Sequence, residues 1–232
     1  MQTVKIPSIF VDGIIYEQSV FASMNNKIEL GKFVIWRESD NEKLPDVSFI
    51  PAMTRRRMTD LQKIAIGLAT QVVPENSDYQ VVFASRFGEW RQTIKLIEQF
   101  HNDGEMSPAG FSNSVHNAAA GAFSLLRKNQ NEYTSIAAGP RTLESGILAA
   151  LTMAKPVLFV YAEEHSPELY NEFLGTPVMA HGLAFMLGAK GNHKISFNMS
   201  DKDCSSLTFD KMASFLENGG EIATSLWKWS DK

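Results

Sequence analysis

The stretch Phe111-Ser112-Asn113-Ser114-Val115-His116-Asn117-Ala118-Ala119-Ala120-Gly121, followed by Thr134-Ser135-Ile136-Ala137-Ala138-Gly139-Pro140-Arg141-Thr142, decides how this sequence is read. The first part predicts a helix over 112–127, packed with alanine and glycine. Such small residues let backbones approach closely, either inside a core or across a subunit interface. The second part predicts a short strand over 134–139, a sharp turn and a helix over 141–153. Pro140 opens that helix, where the missing N–H would have no helical partner in any case. A strand, a turn and a helix N-terminus can present a nucleophile to the helix dipole.

Outward from this stretch, strands and helices alternate. A β-branched and aromatic run over 8–16, with Gly13 inside, predicts a bent strand. Residues 33–36 form a second short apolar run, and 39–51 are polar and turn-rich, which predicts a loop. A helix is expected over 58–73, capped by Thr59 or Asp60 and stopped by Pro74. A buried strand over 81–85 and a turn over 86–89 lead into a helix over 90–100, closed by Asn102-Asp103-Gly104. Residues 107–110 predict a loop. The strand expected over 157–161 runs into Ala162-Glu163-Glu164-His165. Further strands are expected near 182–187 and 193–198, and a helix near 209–217. The alternation predicts an α/β layered fold over 1–232 as a single domain, its short apolar strands covered on both faces.

Composition narrows the function. The 232 residues are 44% hydrophobic and 21% charged, with a net charge of −4. Those values exclude disordered and fibrous classes. A mildly acidic chain is not primarily a nucleic-acid binder, because phosphate neutralisation needs a basic surface. The single cysteine, Cys204, excludes an internal disulfide framework and a multi-cysteine zinc site. The N-terminus does not read as a signal peptide. The longest apolar run, 149–160, is interrupted by Lys155-Pro156, so no membrane insertion is expected. The chain is expected to be soluble and cytoplasmic.

There is no phosphate-binding glycine loop and no His-Glu-x-x-His. His101, His116, His165, His181 and His193 are scattered and read as hydrogen-bonding residues, with no metal site expected. Arg55-Arg56-Arg57 reads either as a solvated helix flank or as a docking patch for an acidic partner. Ser145 lacks the first glycine of a Gly-x-Ser-x-Gly elbow and falls inside a helix. Ser112, Ser114 and His116 offer a second set: on a continuous helix Ser112 and His116 would share a face, with Ser114 pointing away.

The stretch resembles the N-terminal half of β-ketoacyl-acyl carrier protein synthases, in the thiolase-like superfamily. There a Ser/Thr-x-x-x-Asn-x-x-x-Gly helix precedes a Ser-Ile-x-Thr-Ala-Cys strand. Here Asn117-x-x-x-Gly121 is followed by Ser135-Ile136-Ala137-Ala138-Gly139-Pro140, which sets Pro140 at the position of the catalytic cysteine. The strand over 157–164 is similar to the family's Val-x-x-Ala-Gly-Gly-x-Glu strand. The resemblance implies a thiolase-like α/β fold, a layered mixed sheet with helices, and no cofactor. Proline lacks both the thiol and the backbone N–H that helps form the oxyanion hole, a donor worth about two to three orders of magnitude in rate. The chain is also roughly half the length of a full ketosynthase. The resemblance therefore implies a catalytically silent, chain-length-factor-like subunit. Its partners would be an active β-ketoacyl-ACP synthase and the acyl carrier protein, in an aryl polyene, polyketide or fatty-acid-like pathway. Gly139 and Arg141 flank the altered position. Gly110, Phe111, Asn113, His116 and Asn117 would lie at the interface and acyl tunnel, and Arg55, Arg56 and Arg57 at the carrier-docking surface. The alternatives from the residues alone are an acyl-carrier-dependent hydrolase or transferase built on Ser112, Ser114 and His116, and a homodimeric binding module.

Overall fold

A computed structural model describes residues 10–11, 14–15, 27–40, 43–74, 77–153, 156–197, 206–224 and 227–230. Its centre is a seven-stranded mixed sheet. Five strands lie side by side in the order β5 (Tyr133–Ile136), β4 (Gln80–Ala84), β6 (Val157–Glu163), β7 (His181–Phe197) and β3 (Lys27–Arg37). β4 runs parallel to β5 and β6; β7 is antiparallel to β6, and β3 to β7. A hairpin of β8 (Glu221–Ala223) and β9 (Trp227–Ser230) continues from the far half of β7.

Every residue of β4 and β6 is buried. Their side chains alternate between two apolar layers, as the pleat requires. Val81, Phe83, Leu158, Val160 and Ala162 meet α2 (Asp60–Val72) and α5 (Ala118–Arg127). Val82, Ala84, Val157 and Phe159 meet α6 (Thr142–Leu151) and α8 (Phe209–Asn218). The expected α/β layers are thus present, with both faces of the sheet covered. The second face is closed by the C-terminal elements, where Trp227 and Trp229 are fully buried. The short α1 (Ala52–Arg55) precedes α2, and the short α7 (Asn171–Leu174) lies between β6 and β7 along the chain.

The helix expected over 58–73 is α2, and Thr59 is its cap: the hydroxyl accepts from the Gln62 N–H at 3.1 Å. The helix over 90–100 extends to α3 (Trp90–Asp103) and ends on Gly104, which supplies the left-handed φ of +73°. Three expectations are corrected, and one element is added. The region 107–110 is not a loop but the start of the short helix α4 (Pro108–Ser112), because the Ser107 hydroxyl caps the Gly110 N–H and Pro108 opens the turn. The helix expected over 112–127 is broken. Ser114 bonds back to the Phe111 carbonyl, Asn113 reaches away to the Arg57 carbonyl, and helix resumes only at Ala118. The strands near 182–187 and 193–198 are one strand, β7, because β3 pairs with both halves of it. The hairpin β8–β9 was not expected at all, although the alternation Trp227-Lys228-Trp229 is a strand period. Of the bent strand over 8–16, the described parts are β1 (Phe10–Val11) and β2 (Ile14–Ile15), which pair antiparallel.

Gly146 lets α6 lie against the sheet. A Cβ there would stand 2.8 Å from the Ala84 Cβ and 2.9 Å from the Phe159 ring. Gly146→Ala is expected to lower stability by about 1–3 kcal/mol through overpacking. Urea denaturation checks this, and a gain in stability would contradict the packing.

Candidate functional site

The carboxyl ends of β4, β5 and β6 converge on Ser85, which is fully buried. Its N–H donates to the Ile136 carbonyl at 3.2 Å, tying it to the end of β5. Its hydroxyl donates to Glu163 Oε2 at 3.0 Å and accepts from the Gly88 N–H at 2.9 Å. Its carbonyl lies 2.8 Å from His116 Nε2. A carbonyl only accepts, so His116 carries its proton on Nε2. One residue thus joins the turn after β4, the end of β5, the end of β6 and the segment before α5.

Beyond β5 the chain makes a tight turn, Gly139–Arg141, before α6. Gly139 has a φ of +56°, and the Thr142 hydroxyl holds the turn, accepting from the Ala138 N–H and donating to the Gly139 carbonyl. Pro140 lies exposed at this helix start, the place the sequence assigned to a nucleophile. It brings no thiol, no hydroxyl and no N–H to the site.

Three buried carboxyls surround the turn over 85–89. Glu163 accepts from the Arg86 and Phe87 N–H groups as well as from Ser85. Burial pushes its carboxyl up to about 7, against the opposing effect of these donors. Glu164 accepts the Arg91 N–H in the first turn of α3 at 3.2 Å, and burial raises it to about 7. Glu89 is raised furthest, to about 8, chiefly by burial. Its Oε1 accepts from the Thr59 hydroxyl, while its Oε2 is buried without a hydrogen-bond partner. A neutral acid tolerates such a place far better than a carboxylate does.

The structure brings only some of the expected residues together. Asn113 and His116 are drawn inward: Asn113 also meets the Gln62 amide at 3.4 Å, and His116 meets Ser85. Gly110 is wedged against α3, where a Cβ would stand 3.0 Å from Leu96 Cδ2. Phe111 and Asn117 face outward; Phe111 is 55% exposed, and Asn117 stands just before α5, without a side-chain cap bond, rather than inside a helix. Arg55 is committed to the Ser48 carbonyl at 3.2 Å, which leaves Arg56 and Arg57 as the exposed cations of that cluster. Ser112 and Ser114 each donate to a backbone carbonyl, and His116 to Ser85, so no Ser–His hydrogen bond forms. Ser145 lies within α6. His165 and His181 bond to nearby carbonyls. No metal-holding cluster occurs among the described residues, and none of their helices is long and apolar enough to cross a membrane. Cys204 lies outside the described residues.

Sequence reading missed Ser85, Glu89 and Glu163 as site residues. The signal available was the acidic pair Glu163-Glu164 ending a wholly apolar strand.

The family model described as "Beta-ketoacyl synthase, N-terminal domain" matches residues 34–225. No curated protein matches the sequence. Among solved structures, similarity extends to the ketosynthase ApeO in complex with its chain length factor ApeC from Xenorhabdus doucetiae. That match is 20% identical with a TM-score of 0.71, and covers 88% of this chain and 98% of that one. The ishigamide ketosynthase/chain length factor is also similar, at 16% identity and a TM-score of 0.51, over 65% of this chain and 52% of that one. A type II polyketide synthase complex, AntDE:AntF, in which acyl carrier protein meets its hexaketide-bound ketosynthase, matches at 14% identity and a TM-score of 0.50. Here the coverage is 66% of this chain and 57% of that one.

Proposed function

The chain belongs to the family of β-ketoacyl synthase N-terminal domains, and on that premise we propose that it is a non-catalytic, chain-length-factor-like subunit. It pairs with an active β-ketoacyl-ACP synthase and shapes that partner's acyl tunnel. The observation that carries this is a nucleophile position held by Pro140 at the end of an open sheet edge. β5 pairs with β4 on one side only among the described residues. Beside it, α5 leaves Ala118 and Gly121 half-buried and Leu125 82% exposed. An unpaired edge beside an apolar strip is a template for pairing with a second chain. Gly121 belongs to this arrangement, since its bare Cα lets Tyr133 of β5 lie against the helix.

In this pairing Phe111, on α4, extends into the partner's tunnel and limits the growing acyl chain, with Gly110 and Asn117 beside it. Arg56 and Arg57 add positive potential for an acidic carrier protein. The implied setting is polyene or polyketide assembly. Neighbouring structures that are ketosynthase/chain length factor complexes support the reading through their fold.

Co-expression with the cognate ketosynthase, followed by size exclusion, tests the pairing. A one-to-one complex is expected. A chain that elutes alone or as a homodimer, beside a ketosynthase whose activity and product lengths do not depend on it, would refute the proposal. Within the complex, Phe111→Ala is expected to lengthen the products while weakening assembly by no more than about tenfold, as befits one contact outside the interface centre. Product mass spectrometry reads this, and an unchanged length distribution removes Phe111 from the tunnel.

A further inference from the structure

We propose that Gln92 is the positioning residue for Phe111: its side-chain amide holds the Gly110 carbonyl and so sets where the short helix α4 carries the Phe111 ring. That Phe111 limits a partner's acyl chain rests on the pairing reading above; the joint between α3 and α4 rests on the chain's own contacts.

α4 is five residues long. A helix of that length has too few internal hydrogen bonds to hold itself, so its attachments decide its orientation. The Ser107 hydroxyl closes its first turn on the Gly110 N–H, a bond within the segment. Two side chains tie it to the rest of the chain. Beyond Phe111, Asn113 donates to the Arg57 carbonyl at 3.1 Å and accepts from the Gln62 amide at 3.4 Å. Before Phe111, Gln92 Nε2 donates to the Gly110 carbonyl at 3.1 Å. A carbonyl only accepts, so Gln92 presents its NH2 group there. Phe111 is more than half exposed, so burial of its own ring does not fix its place. The backbone on either side of it does, and Gln92 grips the residue immediately before it.

The joint is also tight. A Cβ on Gly110 would stand 3.0 Å from Leu96 Cδ2, 3.2 Å from Gln92 Nε2 and 3.4 Å from Ser107 Cβ. α4 therefore lies against the face of α3 that carries Gln92 and Leu96, which are neighbours one turn apart. At this level α3 is a fixed platform. Trp90 is buried and stacks on the Phe87 ring at 4.2 Å and the Tyr170 ring at 5.9 Å. The Arg91 N–H donates to Glu164, and Leu96 is buried. The Gly110 carbonyl also accepts the Asn113 N–H at 3.1 Å, so removal of the Gln92 donor does not leave it without a partner.

Gln92→Leu removes the donor and leaves α4 closed by Ser107 and tied by Asn113. Amide hydrogen exchange, read by NMR on the full chain alone, tests the joint without any partner. The Phe111 N–H, which donates to the Ser107 carbonyl at 2.8 Å, is the reporter. Its exchange is expected to quicken about two- to tenfold, the range one net hydrogen bond supports, while the amides of α2 keep their rates. Unchanged exchange at Phe111 overturns the proposal, as does an equal quickening in α2, which is a global loss of stability. In the complex with the ketosynthase, Gln92→Leu is expected to move product lengths toward those of Phe111→Ala at unchanged yield of complex. Lower yield at constant lengths is what a merely structural role gives, and overturns the positioning role. The double variant Q92L/F111A is expected to match F111A alone, because Gln92 acts through Phe111; a further shift in the double variant overturns the proposal. Gly110→Ala presses on the same joint from the other side, for the case in which Q92L does not fold. Its exchange at Phe111 and its product lengths are expected to move in the same sense, and unmoved values overturn the joint. A complex that fails to form, or wild-type lengths in F111A, would strike the pairing reading and leave the exchange rates to judge the joint separately.

Discussion

Trp227→Ala is expected to destabilise the protein by about 3–5 kcal/mol, the usual range for deleting a buried tryptophan. Trp227 is fully buried in the apolar layer behind the sheet, and its indole N–H donates to the Glu144 carbonyl at 3.1 Å. It therefore ties the C-terminal hairpin to α6, the helix that follows Pro140. Trp229, beside it, meets the Phe215 ring at 5.3 Å and the Phe185 ring at 6.0 Å. Together they close the sheet face that carries Phe159 and Phe185. Trp227→Phe keeps most of the apolar volume and removes donor and need together, so about 1–2 kcal/mol is expected there. Urea denaturation of both variants reads the difference. A Trp227→Ala loss below about 1 kcal/mol would mean that the hairpin is not part of the cooperative unit.

The second large effect is a fall in stability as pH rises from about 5 to 8, reduced in Glu89→Gln. The folded-state pKa of Glu89 lies near 8, above its ordinary value of 4.5. Below 4.5 both states hold the proton and the carboxyl's contribution is complete. Above 4.5 the unfolded chain releases the proton while the folded chain keeps it, so each pH unit costs about 1.4 kcal/mol until the folded state also ionises. Over this window the loss from Glu89 is on the order of 4 kcal/mol. Glu163 and Glu164, both raised to about 7, add to it in the same direction. In Glu89→Gln the amide oxygen keeps the Thr59 hydroxyl and no charge is forced into the interior. Denaturation midpoints measured from pH 5 to 9 are expected to fall less steeply in the variant, and to lie above the wild type at pH 8. Parallel profiles would show that Glu89 ionises without cost.

Much of the fold was legible because its signals are local. The helix over 60–72 announces itself through the Thr59 cap, a 3.6-residue apolar period and Pro74. The strands over 80–84 and 157–163 do so through short β-branched runs that only a covered sheet can bury. The strand, turn and helix around Pro140 were legible too, since Pro140 stands between the end of β5 and the start of α6. The break at 113–117 was not legible. Its cause is a set of partners distant in sequence, the Arg57 carbonyl, Gln62 and Ser85, which outbid helix hydrogen bonds. The same holds for Arg55, whose charge looked free but is spent on the Ser48 carbonyl.

By itself the sequence determined the alternation of strands and helices through the middle of the chain, and the family, because these depend on residue type and spacing along the chain. Tertiary structure decided which of the small residues on α5 are core and which face outward. It decided that β5 is an edge among the described residues, and that three buried carboxyls flank the turn that begins at Ser85. Those outcomes depend on burial and on contacts between residues 30 to 80 positions apart, such as Thr59 with Glu89 and Ser85 with Glu163. Such contacts shift acidity and orientation only once the sheet has brought its strand ends together.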